Sequence, residues 1–155
     1  MEKFRKEKAN ILKIIRNCEV HHIGSTAVAG LGGKGIVDIM VGIKDWEEVE
    51  EIIKKLKRLG FLHIHPKENG RIFLSKNSTL SQNNIHLHIT KIGNKTYKEL
   101  LFFRDYLRGN KKEADRYFKL KLKWLKESGG NGDNYKKLKE KYIKKILERN
   151  KEVEN

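Results

Sequence analysis

Residues 21–43 read HHIGSTAVAGLGGKGIVDIMVGI, and this stretch decides the fold. A short extended segment at 19–23 ends in a Gly-Ser-Thr turn. After a glycine-rich segment, residues 35–43 form a nearly continuous apolar strand that a single carboxylate, Asp38, interrupts. A carboxylate among apolar residues is costly to bury unless a cation pairs with it. The pattern therefore predicts a turn and a strand that together face a charged ligand.

Each part of the turn has a use in binding phosphate. Gly24 lets the backbone approach a phosphate closely, and Ser25 and Thr26 offer hydroxyl and backbone N–H groups. Lys34 adds a point charge, and a divalent metal that carries nucleotide phosphates would pair with Asp38. The stretch contains neither a Walker A loop nor a GxGxxG fingerprint. On spacing alone, an ordinary structural turn and a carboxylate bonded to backbone amides therefore stay open as alternatives.

The remaining chain alternates between strand and helix patterns. Asp45 can cap a helix with 3–4 apolar spacing, and Gly60 ends it. The order predicts one α/β or α+β domain over residues 1–150, a mixed sheet with flanking helices and a helical C-terminal portion, with a frayed tail at 151–155. The predicted strands after the first helices are 61–64, 71–75 and 85–92, and the predicted helices are 3–16, 46–59, 96–108, 111–127 and 134–149.

Three motifs occur in a recognisable order: HIGSTAVAGLGGKGIVDIMV from residue 22, HLHI at 86–89 and FRDYLR at 103–108. Over residues 18–147 the chain resembles the GrpB-like family of the nucleotidyltransferase superfamily. The resemblance implies a nucleotidyltransferase-like mixed sheet with the Gly-Ser turn after its first strand. It also implies a nucleotide or other phosphorylated ligand, with a nucleoside triphosphate as the expected substrate and Asp38 and Ser25 in the catalytic positions.

The resemblance leaves the activity open. Active nucleotidyltransferases usually carry two carboxylates two residues apart in this strand, so that both face one side and bind metal. Here the second position is Met40. Metal-dependent nucleotidyl transfer and non-catalytic binding of a nucleotide or coenzyme A-related ligand therefore stand as alternatives.

The histidines suggest a site of mixed nitrogen and oxygen donors. His86 and His88 share one face of a strand, and His22 precedes the turn. If the strands align as the resemblance implies, these three converge on Asp38 and bind a divalent metal. Imidazole favours Zn or Mn, whereas Mg prefers oxygen, so Mg, Mn and Zn all stay open as the ion. Ordinary hydrogen-bonding histidines are the alternative. Of the other three, His63 and His65 are expected to belong to a polar hairpin beside Pro66, and His21 is expected to face solvent.

Arginines and overall charge extend the prediction to other anions. Arg104 and Arg108 lie four residues apart on a helix, and Arg104 is expected to face the cleft, where its planar fork suits phosphate. The net charge is +15, and residues 91–155 hold 20 Lys and Arg against 10 Asp and Glu. RNA contact through the C-terminal helices is thus an alternative function, although 27 of the 35 basic residues are Lys and a solvated surface would show the same bias.

Composition indicates a cytoplasmic protein. The single cysteine, Cys18, cannot form an intramolecular disulfide. The sequence contains no run of about 18 apolar residues, so it predicts no transmembrane helix. The N-terminal segment lacks the apolar core of a signal peptide. The sequence does not predict an oligomeric state.

Overall fold

The computed structural model describes residues 1–31, 35–68, 70–76 and 84–154. Its strands are β1 (Cys18–Ile23), β2 (Val37–Ile43), β3 (His63–Glu68), β4 (Arg71–Lys76) and β5 (Ile85–Lys91). Its helices are α1 (Glu2–Ile14), α2 (Val49–Arg58), α3 (Lys95–Gly109), α4 (Lys111–Glu127) and α5 (Gly132–Glu154), with short 3-10 turns at Ser25–Ala27 and Trp46–Glu48.

The five strands form one mixed sheet in the order β1-β2-β5-β4-β3. β2 and β5 run parallel, and the other neighbouring pairs run antiparallel. The predicted mixed α/β architecture is therefore confirmed. The parallel pair at the centre places the Asp38 strand directly beside the HLHI strand.

The two faces of the sheet differ in chemistry because side chains alternate along each strand. One face carries Ile39 and Val41 of β2 and Leu87 and Ile89 of β5, all fully buried. α1 and α2 cover this face with an apolar stripe; α2 contributes Val49, Ile52, Ile53 and Leu56. The other face carries Asp38, His86 and His88, so the core helices leave the polar side of the sheet for other contacts.

The chain forms two compact units, Met1–Arg104 and Asp105–Asn155. The first contains the sheet with α1 and α2. In the second, α4 and α5 pack through aromatic rings: Tyr142 stacks on Tyr117 with centroids 5.4 Å apart, and Trp124 lies 5.6 Å from Tyr142. No helix in the described ranges has both the length and the apolar character that crossing a membrane requires.

Two elements, β3 and α5, extend well beyond their predicted ends. The strand predicted at 61–64 lies instead at His63–Glu68 and runs through Pro66. β3 is an edge strand, and an edge is where a sheet tolerates a residue without a backbone N–H. Phe61 precedes the strand and is fully buried. α5 continues to Glu154, so helix covers residues 151–154, where the sequence suggests a tail.

Candidate functional site

Asp38 lies beside two histidines at the centre of the polar sheet face. The parallel register pairs Asp38 with His86 and Met40 with His88, which places all four side chains on one face. His86 Nδ1 and His88 Nε2 each lie 3.5 Å from the same oxygen, Asp38 Oδ1. The side chains are 25% exposed for Asp38, 30% for His86 and 11% for His88. The structure thus brings together one carboxylate and two imidazoles at a surface that solvent reaches.

Gly24 meets the other oxygen of the same carboxylate. Ile23 pairs with Asp38 across β1 and β2, so the turn begins directly beside the acid. A Cβ atom added at Gly24 would lie 2.6 Å from Asp38 Oδ2. The backbone there has φ 74° and ψ −172°, a conformation that is essentially restricted to glycine. Glycine is therefore required at this position both by the backbone and by the neighbouring carboxylate.

The surroundings of Asp38 keep it ionised. Burial alone would raise the pKa of Asp38, but hydrogen bonds donated by His86 and His88 outweigh it and hold the pKa well below its ordinary value. Burial lowers the pKa of His88, and the nearby Asp38 charge opposes this only in part. At neutral pH the site therefore consists of a carboxylate anion and a neutral His88.

His88 has a further reason to resist protonation. Its Nδ1 atom is buried and has no hydrogen-bond partner within the described chain. With Nε2–H donated to Asp38, a protonated ring would point a second N–H at a place that offers it no acceptor there.

The lowered pKa of His88 predicts a stability that declines with acidification. In the unfolded chain His88 protonates near pH 6.5, whereas the folded protein resists the proton until a lower pH. The stabilising contribution is therefore complete above about pH 6.5 and is lost as the pH falls toward the folded pKa. Asp38, with its lowered pKa, loses its contribution only at more acidic values, below about 3.8. Thermal unfolding between pH 7.5 and pH 5 measures the decline. A His88→Gln variant should show a shallower one, and an equal slope in both proteins would contradict the assignment.

His22 does not join this group, and its predicted convergence with Asp38 is wrong. It pairs with Ile39, whose side chain points to the apolar face, so His22 lies on the side of the sheet opposite Asp38. Its ring stacks on Phe4 of α1 with centroids 4.5 Å apart, and its Nε2 lies 2.9 Å from the Thr26 hydroxyl. His22 thus links the turn to α1 on the face of the sheet opposite Asp38.

Other residues of the polar face were missed by the sequence analysis. The Phe73 ring lies at 5.0 Å from His65, 5.0 Å from His86 and 5.1 Å from His88, measured between centroids. His65 is placed there because β3 and β4 pair His65 with Phe73. Its parity with His63 was the available signal, but pairing across three strands cannot be read from parity alone.

A second carboxylate lies on the same face near its edge. Glu19 accepts a hydrogen bond from His21 Nε2 at 2.9 Å and another from the Tyr97 hydroxyl. The bond to Glu19 raises the pKa of Tyr97 to about 12, in addition to the larger effect of burial. These hydrogen bonds hold His21 within the protein surface, whereas the sequence analysis assigned it to solvent.

Of the residues predicted to bind phosphate, Arg104 and Ser25 both lie at the turn. Arg104 Nη1 donates to the backbone carbonyl of His22 at 3.3 Å, two residues before Gly24. It therefore lies at the base of the turn. Lys34 lies outside the described residues. Ser25 begins the short 3-10 turn that Gly24 caps.

The donor set is incomplete for a metal held by protein alone. Among the described residues, no group of three His, Cys, Asp or Glu side chains is arranged to hold an ion. Met40 occupies the position of the second carboxylate and is fully buried. An ion at Asp38 would thus need further oxygen ligands from a bound molecule.

Comparison with known proteins identifies the family. A model of the family described as GrpB protein matches residues 1–149. The chain belongs to the GrpB family. It is 29% identical to the glutamate-rich protein GrpB of Alkalihalophilus pseudofirmus, over 93% of this chain and 86% of the relative. The crystal structure of the conserved protein GrpB from Enterococcus faecalis superimposes with a TM-score of 0.73 and 29% identity, covering 94% of this chain and 93% of that one.

The fold of this GrpB family member is similar to that of solved nucleotidyltransferases. The Cid1 poly(U) polymerase matches with a TM-score of 0.55 at 14% identity. The match covers 88% of this chain but only 48% of the polymerase. At this identity the likeness concerns the fold, a nucleotidyltransferase-like mixed sheet flanked by helices.

Proposed function

We propose that the chain binds a nucleoside triphosphate together with a divalent cation, with Asp38 as the anchoring protein ligand. The observation that carries this proposal is the ionised, partly exposed Asp38 carboxylate packed against a glycine that leaves no side chain between turn and acid. An anion in an apolar strand attracts a cation, and the nearby turn accepts a phosphate. A nucleotide–metal complex supplies both partners at once.

The donor set can hold a divalent cation if a bound molecule supplies further oxygen ligands. Asp38 offers carboxylate oxygen, and the N–H groups of His86 and His88, 3.5 Å from Oδ1, orient that carboxylate. Divalent ions such as Mg are commonly bound by one or two carboxylates together with substrate phosphates. Bound in this way, the ion would neutralise phosphate charge and orient the polyphosphate. We therefore expect nucleotide and ion to bind together, with weak binding of the ion alone.

The phosphate contacts fall to the start of the turn. Gly24 allows close backbone approach, and Ser25 adds a hydroxyl beside it. The Thr26 hydroxyl is already engaged by His22, so Thr26 contributes by fixing the turn rather than by its side chain. Arg104 stabilises the same turn from the His22 carbonyl, and its positive charge adds to the attraction for an anion.

Transfer and binding without transfer differ in what happens next. In transfer, an acceptor hydroxyl attacks the α-phosphorus, pyrophosphate leaves and the hydroxyl proton goes to solvent. The chain would position the groups and neutralise charge. The buried Met40, in place of a second carboxylate, favours the second candidate: a protein that holds a nucleotide or coenzyme A-related ligand without transferring it.

Thermal unfolding with ligand panels tests the proposal. Nucleoside triphosphates and coenzyme A precursors are each added with Mg, Mn or Zn, and each ion is also added alone. A ligand at a hundredfold excess over its Kd stabilises by about 2.7 kcal/mol, and Asp38→Asn should remove that stabilisation. Glu50→Gln, which alters an exposed carboxylate on α2, is the matched control and should behave as wild type.

The outcomes separate the candidates. Equal stabilisation of wild type and Asp38→Asn, or no stabilisation by any ligand, would refute the nucleotide site. Pyrophosphate release that requires Asp38 would establish transfer. Binding that requires Asp38 without pyrophosphate release would establish the non-catalytic candidate.

A further inference from the structure

Four basic residues form a stripe along α4. Lys112, Arg116, Lys119 and Lys123 are all exposed and follow one another at intervals of four, three and four residues. At 3.6 residues per turn they lie within a sector of about 60° and extend over about 16 Å of helix. Together with Asp115 and Leu120 they line a shallow surface groove. The stripe thus presents a row of cations on a rigid support.

Packing within the second unit directs the stripe away from α5. The buried residues of α4 are Ala114, Tyr117 and Trp124, and Tyr142 of α5 stacks against the two aromatic rings. Tyr142 also donates a hydrogen bond to Glu113 at 2.8 Å. This apolar side is therefore committed to the protein interior. A membrane-surface helix would need it to be available for insertion, so the arrangement disfavours a lipid partner.

The charge of the stripe is available to a ligand. Arg116 pairs with Glu113 at 3.5 Å and Lys123 with Glu127 at 3.6 Å, and the two basic side chains are 60% and 65% exposed. The exposed Lys123–Glu127 pair contributes little, about 0–1 kcal/mol, so exchanging its carboxylate for a phosphate is easy. Arg116 is bonded to the largely buried Glu113, and its guanidinium has further N–H donors for a phosphate. α4 as a whole holds seven Lys and Arg against three Asp and Glu.

We propose that the α4 stripe binds the phosphate backbone of single-stranded RNA. A linear row of cations matches a linear row of phosphates, and the stripe offers neither the aromatic platform nor the amide side chains used to read bases. Binding is therefore largely independent of sequence and strongly dependent on salt. Four neutralised phosphates predict a slope of log K against log salt of about −2.8.

Asp115 is the reason to choose RNA over DNA. A carboxylate beside a phosphate-binding row repels the phosphates of DNA and RNA alike, and the sugars of DNA offer no 2′-hydroxyl donor to offset that repulsion. RNA presents a 2′-hydroxyl at every nucleotide, which donates to such an acceptor. The groove that contains Asp115 together with the basic stripe is thus suited to a ribose-phosphate backbone.

Fluorescence anisotropy with the full chain tests this inference. The probes are single-stranded RNA and DNA of one mixed sequence, about 12 nucleotides long. Replacing Lys112, Lys119 and Lys123 by Gln should weaken RNA binding about tenfold at low salt and reduce the salt slope by about 2. Asp115→Asn should narrow the difference between RNA and DNA. Asp38→Asn should leave RNA affinity unchanged, which separates this surface from the nucleotide site.

The matched control lies on α5. Lys137, Lys141 and Lys144 are exposed and lie on one side of the helix at intervals of four and three residues, so replacing them by Gln removes the same charge elsewhere. If the α5 variant loses as much affinity as the α4 variant, or if wild type binds DNA as tightly as RNA, the proposal is overturned. Binding to anionic vesicles but not to RNA would also overturn it. Circular dichroism of each variant verifies that the helices are intact.

Discussion

Gly24→Ala is expected to lower the free energy of unfolding by about 2–6 kcal/mol, which is a large part of the stability of a typical domain. Two costs combine. The backbone conformation at Gly24 is restricted to glycine and strains any other residue by about 1–3 kcal/mol. The new methyl group would also lie 2.6 Å from Asp38 Oδ2, and such overpacking costs typically about 1–3 kcal/mol. Chemical denaturation of wild type and variant measures the sum.

Gly30→Ala is the control that separates the two costs. Gly30 has a similar φ of 77°, but an added Cβ would meet nothing within 4 Å. It should therefore cost only about 1–2 kcal/mol, the strain of a left-handed backbone. Adding Asp38→Ala to Gly24→Ala should recover the part due to overlap. If Gly24→Ala and Gly30→Ala cost the same, the turn does not press against the carboxylate as the structure shows.

The close approach of Gly24 to the Asp38 carboxylate is therefore expected to affect both the stability of the fold and the binding of a ligand. If the proposed nucleotide–metal complex binds here, a turn held against Asp38 would bring its phosphate and its cation into the same small volume. If Gly24→Ala relaxes by moving the turn, nucleotide-dependent stabilisation should fall in parallel with the loss of stability. Gly30→Ala should bind as wild type.

The sequence predicted the bounds of an element well where the residues next to it determine where it begins and ends. The helix at 111–127 is observed with the same bounds because Asn110 caps it, its side chain accepting from the Glu113 N–H, and Ser128 follows it. Asp38 was singled out because one carboxylate in an apolar strand is unusual. The structure then placed His86 and His88 beside it, since the two strands run parallel in register.

Properties that depend on register were beyond the sequence. His21 and His22 are adjacent, and a strand directs one of them to each face, but only pairing with β2 decides which one faces Asp38. His22 lies on the opposite face, where it stacks on Phe4 of α1, 18 residues distant in sequence. Likewise His65 and Phe73 join the site through three paired strands. Sequence parity therefore correctly predicted a histidine of β1 on the face of Asp38, but it selected His22. The histidine on that face is His21.

A buried ion pair shows the same limit on a larger scale. Glu7 of α1 has a side chain that is only 6% exposed, and Lys76 Nζ at the end of β4 lies 3.3 Å and 3.5 Å from its two oxygens. The residues are 69 positions apart, so neither charge pattern nor periodicity indicates the contact. Lys76 also lies over the ring of Phe61, 5.6 Å from its centroid, and so joins helix, strand and core at one point.

Lys76→Met is accordingly expected to destabilise the protein by about 3 kcal/mol, because it leaves the Glu7 carboxylate buried without its cation. Methionine keeps the aliphatic packing against Phe61, so the loss reports charge rather than volume. Glu7→Gln should cost only about 1 kcal/mol, since it leaves behind a lysine that is 34% exposed and reaches water.

The double variant Glu7→Leu/Lys76→Met distinguishes a net stabilising pair from a mutually dependent one. Replacing both partners by apolar residues removes the desolvation cost together with the attraction, so its stability should return to within about 1 kcal/mol of wild type. Urea denaturation of the four proteins provides the complete cycle. A double variant as unstable as Lys76→Met alone would show that the lysine matters for a contact other than Glu7, and the pair would then no longer explain how α1 is held to β4.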